Sequence, residues 1–487
     1  MRLHPDTLAK LPAAVQRPGY DRGALVTGIV HLGLGAFHRA HQAVYTEDVL
    51  ARAFGPWGIL GVSLRSPDTR DALGPQGGLY TVASRDGAGD SLRVIGAVQG
   101  CLVARESPAL LLDVMCAPEV RIVSLTITEK GYCHDPATGE LNLAHPDIVH
   151  DLAEPDLPVS APGFIVEALA RRRATGTPPF TVLSCDNLPH NGKLTAGLVI
   201  ALARARDPEL GQWVAAEVAF PSTMVDRIVP ATTDDDRALV GKGLGMEDAW
   251  PVMAEPFKQW VIEDRFTMGR PAWEIAGAEF VADVAPYETM KLRLLNGSHS
   301  SLAYLGYLGG FSTIAETIAQ PDYARHVRAL MAAVAPTVPV RSGYDLAGYC
   351  DQLMQRFANP ALKHRTWQIA MDGSQKLPQR LLGTARDLLK AGKPVERIAL
   401  GVAAWMRYVT GVDEQGKPIE VSDPLAKRLA AIFAETGPNP DKLAAAYLAV
   451  EEVFGDLGRN PAFAAPVAAA LGRLYAKGAR ATLAEMP

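Results

Sequence analysis

The chain has 487 residues, and 53 acidic against 48 basic side chains give it a net charge of −5 at pH 7. This mildly acidic balance disfavours binding to nucleic acids or membrane surfaces, which usually requires an excess of lysine and arginine. The hydrophobic share of 48% and the charged share of 21% are typical of soluble globular proteins, and the length predicts more than one domain.

The first twenty residues lack the apolar core of a signal peptide, and no later apolar run reaches the length of a transmembrane helix. The five cysteines form no CxxC pair and are scattered at Cys101, Cys116, Cys133, Cys185 and Cys350. Their odd number and wide spacing disfavour a disulfide framework and a structural zinc site. We therefore expect a protein of the reducing cytoplasm.

Short β-branched runs alternate with helix-like stretches through the first 280 residues. The predicted strands cover residues 25–34, 57–64, 93–97, 120–127 and 180–185, and predicted helices cover residues 163–172 and 194–204. This alternation predicts an α/β domain built on a mainly parallel, doubly wound sheet.

The pattern changes after about residue 285, where strand signals nearly vanish. Ala/Leu-rich stretches with helical periodicity cover residues 327–338, 379–391, 397–408, 424–434, 440–452 and 461–475. We predict an α/β domain over residues 1–284 and an all-helical domain over residues 285–487. A cleft between two domains is a favoured place for a ligand.

Gly33 and Gly35 follow the first predicted strand, within the segment VHLGLGAFHRAH. Glycines there permit a tight turn and let a pyrophosphate approach the start of a helix, as in dinucleotide-binding domains. His38 occupies the place of the third glycine of the GxGxxG pattern. The alternative is an ordinary turn at the end of a strand, but the position in the first βα unit favours a cofactor site.

Arg65 and Asp68 follow the second predicted strand. An acidic residue at this place can accept hydrogen bonds from the adenosine ribose and repel a 2′-phosphate, so Asp68 favours NAD over NADP. Arg65 could instead bind such a phosphate. Ser-Pro-Asp is also good chemistry for a plain surface turn, which leaves three interpretations of this segment.

Residues 291–299 place Lys291, Asn296 and His299 in a mostly apolar, helix-like run. At roughly 100° per residue of an α-helix, Asn296 lies about 140° and His299 about 80° from Lys291, so all three can share one broad face. A lysine among apolar neighbours can act as a base, an asparagine can donate to an oxyanion, and a histidine can orient a substrate. Alternatively, the lysine reaches solvent and Asn-Gly-Ser ends the helix.

Three further polar segments are candidates for a ligand site. Asn187 follows a predicted strand, and the alternative is a turn that caps the next helix. Asp226 precedes Arg227 in an apolar run, where a buried ion pair is an equal alternative. Lys376 lies in the Asp-Gly-Ser-Gln-Lys break of the helical domain, and the alternative is a solvated loop.

Catalytic and metal signatures of other enzyme classes are missing from the sequence. His38 and His41 have metal-ligand spacing, but no companion ligands accompany them, and we predict no metal site. The chain has no GxSxG and no P-loop, which disfavours a serine hydrolase and a P-loop kinase.

Eight segments together resemble the polyol-specific long-chain dehydrogenases, a family that includes mannitol 2-dehydrogenase and fructuronate reductase. They are GLGAFHRAHQ (33–42), SLTITEKGYC (124–133), FTVLSCDNLPHNG (180–192), MVDRIVP (224–230), EPF (255–257), GRPAWE (269–274), MKLRLLNGSH (290–299) and DGSQKLP (372–378). The resemblance covers essentially the whole chain. It implies a zinc-independent, NAD(H)-linked oxidoreductase with a Rossmann-type first domain, a helical second domain and a monomeric state.

The resemblance also implies roles for single residues. Lys291 matches the general base or acid, Asn187 and Asn296 match groups that polarise the reacting oxygen, and His299 matches a residue that places the substrate and the lysine. Glu288 matches a glutamate that passes protons to solvent. The other implied contacts are Asp226 and Lys376 to substrate, and Phe37, His38 and Thr126 to cofactor.

The choice of substrate stays open between two alternatives. Gln368 stands where the mannitol enzymes have a substrate-binding arginine, and the segment around it looks more like fructuronate reductases. The segments at 61–66 and 186–192 look more like mannitol 2-dehydrogenase. We predict D-mannitol and D-fructose first and D-mannonate and D-fructuronate second, with Arg365 as the candidate partner of a uronate. A catalytically silent NAD-binding protein is a third alternative.

Overall fold

The computed structural model describes residues 1–86, 89–135, 138–341, 343–362 and 364–486. Contacts divide the chain into two compact units, residues 1–285 and residues 286–487. Within the described ranges, no helix is both long and apolar enough to cross a membrane. Cofactor binding by the first unit and catalysis by the second stay predictions.

The first unit contains the strands. They are β1 (Thr27–Leu32), β2 (Gly58–Ser63), β3 (Tyr80–Asp86), β4 (Gly89–Ile95), β5 (Val98–Val103), β6 (Ile122–Leu125), β7 (Thr181–Ser184), β8 (Thr223–Asp226), β9 (Val252–Ala254), β10 (Gln259–Glu263) and β11 (Glu279–Val281). The α-helices of this unit are α1 (Ala36–Ala40), α2 (Gln42–Arg52), α3 (Asp68–Leu73), α4 (Pro108–Cys116), α5 (Pro146–Ala153), α6 (Ala161–Thr175), α7 (Asn191–Arg206), α8 (Pro208–Glu217) and α9 (Asp234–Leu244).

Strands β5, β2, β1, β6 and β7 form one parallel sheet in that order. The chain passes from β1 outwards to β2 and β5 and then returns to β6 on the other side of β1, so the strand order reverses beside β1. Buried apolar residues cover both faces of the sheet, which explains the β-branched composition of its strands. The predicted doubly wound, Rossmann-type sheet is confirmed.

The strand predicted at residues 93–97 does not belong to this sheet. It is the end of β4, which pairs antiparallel with β3, and β3 pairs parallel with β9 in a separate three-stranded sheet. The missing strand of the parallel sheet is β5, a partly exposed edge strand whose glycine and glutamine dilute the apolar signal. Strands β8, β10 and β11 form another small sheet.

The second unit consists of helices. They are α10 (Ala285–Met290), α11 (Gly297–Leu308), α12 (Ile314–Ile318), α13 (Pro321–Val334), α14 (Leu346–Phe357), α15 (Thr366–Ala370), α16 (Gly373–Leu377), α17 (Gly383–Lys390), α18 (Glu396–Tyr408), α19 (Ala426–Thr436), α20 (Pro440–Leu448), α21 (Glu451–Phe454) and α22 (Pro461–Ala484). Helix α11 is buried along most of its length and contacts α18 closely, because a Cβ at Gly401 would lie 2.9 Å from Ser301 Oγ. The predicted helical second domain is confirmed.

A π-helical turn at Lys291–Asn296 joins α10 to α11. The amide of Gly297 donates to the carbonyl of Leu292, five residues earlier. The α-helical spacing predicted from the sequence for Lys291 and Asn296 is therefore wrong. In a π-helical turn, residues five apart lie nearly above one another along the helix axis. The alternative in which Asn-Gly-Ser ends the helix is also wrong, because α11 continues from Gly297.

Three fully buried histidines make stability depend on pH. Burial lowers the pKa of His31, His41 and His326 to about 3, well below the value of about 6.5 in an unfolded chain. Between those values the unfolded chain binds protons that the folded chain excludes, so stability falls as pH falls below 6.5. We expect a loss of about 1.4 kcal/mol per pH unit for each excluded proton.

Urea unfolding at pH 7.5, 6 and 5 measures this dependence. His326→Gln should flatten the pH dependence of the free energy of unfolding. An unchanged slope in His326→Gln would contradict the assignment.

Candidate active site

A cleft of about 460 Å³ opens at the carboxyl ends of β1, β2 and β6. It lies where the strand order reverses, which is where open parallel sheets bind their ligands. Its lining includes Gly33 and Gly35 after β1, Arg65 after β2 and Thr126 after β6. The structure thus brings together four of the predicted cofactor residues.

The turn after β1 requires its two glycines for different reasons. Gly33 has φ +95°, and a Cβ there would lie 2.2 Å from the carbonyl oxygen of Thr126, so a side chain would be both strained and blocked. At Gly35 the nearest atom to an added Cβ is 3.8 Å away, so the glycine faces open space. This opening beside the start of α1 fits the close approach of a dinucleotide pyrophosphate.

Phe37 and His38 lie outside the lining of this cleft. The rings of His38 and His31 stack with centroids 3.4 Å apart, and His31 is held by Ser124 Oγ at 2.8 Å. Burial lowers the pKa of His38 well below its usual value, so the ring is neutral. Phe37 stacks on His41. The structure places both residues in packing contacts, and their cofactor contacts stay predictions.

Asp68 is the exposed first residue of α3 and also lies outside the lining, whereas its neighbour Thr69 lies within it. Arg65 is exposed and lies 3.5 Å from Asp147. Both positions flank the cleft end at which the ribose is expected. The choice between the two coenzymes therefore stays a prediction.

Asp186, which was not among the predicted site residues, holds a segment that lines the cleft in place. Asp186 accepts hydrogen bonds from the amides of Ile127 and Thr128, at 2.9 and 3.0 Å, and from the Tyr132 hydroxyl at 2.8 Å. Thr128 has φ +61°, a conformation that a non-glycine residue rarely adopts. Asp186 thus fixes the cleft-lining segment after β6 to the end of β7, directly before Asn187.

Asn191 links the loop of Asn187 to the strand of Asp226. Its side-chain amide donates to the carbonyls of Asp186 and Thr223, and its oxygen accepts from the Thr223 amide at 2.9 Å. The loop after β7 and the start of β8 are therefore held together. The Asp-Asn-Leu-Pro-His-Asn motif contained this residue, but only the structure shows its partners.

Asp226 is buried at the end of β8, and the next residue, Arg227, has a structural role. The Arg227 guanidinium donates to the carbonyls of Glu255 and Ala40 and to the hydroxyl of Ser84. Burial lowers the pKa of Arg227 to about 10, so it stays charged at neutral pH. The arginine thus joins three segments of the first unit.

In the second unit, Lys291 is buried at the start of the π-helical turn and Asn296 ends it. His299 is the third residue of α11, and its Nε2 atom is buried without a hydrogen-bond partner among the described residues. Burial, together with electrostatic repulsion from His364 and Arg380, lowers the pKa of His299 well below its usual value. The three candidates thus lie on one continuous helical segment, with Glu288 on the preceding helix α10.

A second π-helical turn, Pro378–Leu382, packs against the first. A Cβ at Gly297 would lie 2.7 Å from the carbonyl oxygen of Arg380, so only glycine permits this approach. The Arg380 guanidinium donates to Ser300 Oγ at 3.0 Å. Arg380 was not among the predicted site residues, because nothing in the spacing of the sequence links it to residues 80 positions earlier.

The Asp-Gly-Ser-Gln-Lys segment is an ordered structure rather than a solvated loop. Asp423 caps α16 by accepting from the amide and hydroxyl of Ser374, at 2.8 and 2.5 Å. Lys376 Nζ donates to the carbonyl of Met371 at 2.5 Å. Burial and the charge of Arg380 lower the pKa of Lys376.

Gln368 and Arg365 are both exposed. Arg365 lines a pocket of about 970 Å³ together with Trp367, but that lining contains none of the other predicted site residues. The structure therefore does not bring Arg365 together with His299 or Lys376 in this pocket.

One group within the described ranges has the spacing of metal ligands. Ligand atoms of Cys133, His145 and Asp147 lie within 4.8 Å of one another. His145 Nδ1 accepts from the Asp147 amide at the start of α5, and Asp147 pairs with Arg65. Two of the three residues thus already have protein partners.

Comparison with known proteins identifies the family. Residues 27–275 match the family model of the mannitol dehydrogenase Rossmann domain, and residues 283–475 match that of the mannitol dehydrogenase C-terminal domain. The chain belongs to the mannitol dehydrogenase family. It is thus an oxidoreductase, as the sequence resemblance implied.

Relatives with two different names, D-mannonate oxidoreductase and mannitol 2-dehydrogenase, align with nearly the whole chain. D-mannonate oxidoreductase of Escherichia coli is 49% identical, over 98% of this chain and 99% of its own. Mannitol 2-dehydrogenase of Phaeosphaeria nodorum is 42% identical, over 100% of this chain and 85% of its own. The solved Pseudomonas fluorescens mannitol 2-dehydrogenase, in ternary complex with NAD and D-mannitol, is 42% identical over 99% of both chains, with a TM-score of 0.84.

Proposed function

We propose that this oxidoreductase uses NAD(H) to interconvert a secondary alcohol and a ketone of an acyclic sugar derivative, with Lys291 as general base and without zinc. The observation that carries the proposal is the π-helical turn of the second unit, which joins buried Lys291 to Asn296 directly before His299. Burial disfavours the charged form of a lysine, which makes a base available near neutral pH.

In the oxidation direction, neutral Lys291 Nζ takes the proton of the substrate hydroxyl. NAD, when bound, supplies the hydride acceptor. The amides of Asn187 and Asn296 donate to the substrate oxygen as its negative charge grows, which stabilises the transition state. Neutral His299 places the substrate, and Glu288 passes the proton from Lys291 to solvent.

The cofactor site of the proposal is the cleft at the ends of β1, β2 and β6. The open face of Gly35 supports a pyrophosphate there. The solved relative with NAD supports the same cofactor for this chain. Asp226 and Lys376 are proposed substrate contacts, with Gln368 and Arg365 as candidates for the outer part of the substrate.

Two substrate pairs fit this chemistry. D-mannitol and D-fructose are supported by the mannitol 2-dehydrogenase relatives. D-mannonate and D-fructuronate are supported by the higher identity to D-mannonate oxidoreductase.

The decisive assay follows NADH consumption with D-fructose and with D-fructuronate. We expect saturable turnover of at least one of the two ketones. NADH binding without turnover of any ketose or keto acid would overturn the proposal in favour of a silent NAD-binding protein.

Zinc independence predicts that dialysis against EDTA leaves kcat unchanged. The control is the same dialysis followed by added Zn²⁺. A loss of activity that Zn²⁺ restores would contradict the prediction and would direct attention to Cys133, His145 and Asp147.

The proposed role of Asp68 predicts a strong preference for NADH over NADPH. Asp68→Ala should raise kcat/KM for NADPH about tenfold, because the repulsion of the 2′-phosphate is removed. The matched control is Asp71→Ala in the same helix. Equal rates of the unmodified enzyme with both coenzymes would refute this role.

The same proposal includes a monomer in the cytoplasm. All five cysteines are free, which supports a reducing compartment. Light scattering of the purified protein tests the monomer.

A further inference from the structure

Three side chains of different chemistry converge beside the cofactor cleft. A ligand atom of each of Cys133, His145 and Asp147 lies within 4.8 Å of the other two. A thiolate, an imidazole and a carboxylate are the ligand types that Zn²⁺ uses in proteins. Zn²⁺ binds sulfur at roughly 2.3 Å and nitrogen or oxygen at roughly 2.1 Å, so the ligand atoms around a tetrahedral ion lie about 3.5 Å apart. The three side chains therefore need to close in by only about 1 Å to hold such an ion.

Two separate segments of the backbone hold the three residues at this spacing. Cys133 follows the 3₁₀ turn Glu129–Tyr132, and its carbonyl accepts from the amide of Asn142, which ties this turn to the segment before α5. His145 is the N-cap of α5, and Asp147 is the second residue of that helix. The group was not predicted from the sequence, because no CxxC or HxxH spacing links Cys133 to His145.

The present partners of these side chains hold them weakly. The hydrogen bond from the Asp147 amide to His145 Nδ1 is 3.2 Å long. Asp147 pairs with Arg65 at 3.5 Å, and the Arg65 side chain is 69% exposed, so it can turn into solvent at little cost. Within the described ranges, the Cys133 thiol donates only a long hydrogen bond of 4.0 Å, to the carbonyl of Gly131. An ion that binds all three side chains therefore displaces little.

The group lies in the wall of the cofactor cleft. Cys133 and Asp147 are part of the same lining as Gly33, Arg65 and Thr126. Metal ligands bind in their deprotonated form, so Cys133 and Asp147 contribute two negative charges that offset the charge of one Zn²⁺. An ion held between them occupies the side of the cleft and takes Asp147 away from Arg65, which is one of the predicted cofactor residues.

On the basis of the cofactor cleft proposed above, we infer that Cys133, His145 and Asp147 form an inhibitory Zn²⁺ site whose occupation excludes NAD(H). On binding, the Cys133 thiol releases its proton to solvent, and the thiolate, a ring nitrogen of His145 and the Asp147 carboxylate become three ligands. Water from the cleft supplies the fourth. The ion takes no part in the proposed chemistry, so added Zn²⁺ should lower the activity of EDTA-treated enzyme rather than restore it.

A Cd²⁺ titration of the protein without cofactor tests the site directly, because the ultraviolet charge-transfer absorption of a Cd²⁺–thiolate bond requires no turnover. We expect one equivalent of Cd²⁺ to produce this absorption in the unmodified protein. Cys133→Ser should abolish it, and Cys350→Ser, a partly buried cysteine of the second unit, is the matched control that should keep it. Since the two ligands exclude each other, saturating NADH should also remove the absorption.

Inhibition by Zn²⁺ is measured with the better of the two ketones. Zn²⁺ should raise the KM for NADH and leave kcat unchanged, as a competitor of the cofactor does. His145→Asn removes the imidazole but keeps a good N-cap for α5, so the inhibition constant for Zn²⁺ should rise by roughly 10- to 100-fold or more while the helix remains. His150→Asn, in the same helix, is the matched control and should keep the inhibition.

The inference fails if the Cd²⁺ absorption is missing or is unchanged in Cys133→Ser, if His145→Asn is inhibited as strongly as the unmodified enzyme, or if Zn²⁺ does not compete with NADH. Each of these results leaves the proposed function standing. If circular dichroism shows that Cys133→Ser does not fold, His145→Asn replaces it and should weaken Cd²⁺ binding. Turnover of neither ketone would overturn the proposed function, and the Cd²⁺ titration would still decide whether the metal site exists.

Discussion

Lys291→Ala is expected to lower kcat about a thousandfold, because general-base catalysis typically contributes 10²- to 10⁴-fold. The lysine is buried at the start of the π-helical turn, and alanine leaves no group there that can take the hydroxyl proton. Steady-state kinetics with the better of the two ketones measures the loss, and fluorescence titration should show that NADH binding is retained.

Lys393→Ala provides the matched control, since this lysine is exposed in the same unit. Methylamine should partly restore the activity of Lys291→Ala, because the small amine can replace the missing base. A Lys291→Ala enzyme with near-normal kcat would show that another group removes the proton.

Asp186→Ala is expected to lower the free energy of unfolding by at least about 3 kcal/mol and to raise the KM for NADH about tenfold or more. The substitution leaves the amides of Ile127 and Thr128 and the hydroxyl of Tyr132 without their acceptor, and hydrogen bonds to a charged group contribute about 1.5–3 kcal/mol each. The segment that it frees lines the cleft, so cofactor binding should weaken as well.

Urea unfolding and NADH titration measure the two effects separately. Asp113→Ala, an exposed position of α4, is the matched control and should change neither quantity. A stable Asp186→Ala enzyme with the original KM for NADH would mean that Thr128 keeps its strained conformation without this carboxylate.

The sequence predicted the elements whose signal is local. The run 25–34 contained β1 and Gly33, and Gly35 follows it directly, since an apolar strand and the glycines of the turn are adjacent in the chain. The edge strand β5 was missed because only part of it is buried, and its pattern follows from its place in the sheet. The π-helical turn was missed as well, since its composition does not differ from that of an α-helix.

The candidate site shows the same limit. Lys291, Asn296 and His299 were found together because they lie within nine residues of one another. Arg380 and Asp423 were missed because they reach the site segments only through packing between distant helices. Arg365 was preferred as a cation on sequence proximity to Gln368, yet it lines a pocket without the other candidates.

The contact at Gly297 has a consequence for attempts to redirect this enzyme. Any side chain at that position would push apart the helix that continues from the turn of Lys291 and the second π-helical turn at Pro378–Leu382. The geometry of the proposed catalytic segment thus depends on the absence of a side chain at Gly297. A library that seeks new substrates should keep Gly297 fixed, since mutants of the glycine would lose turnover before they could gain a new preference.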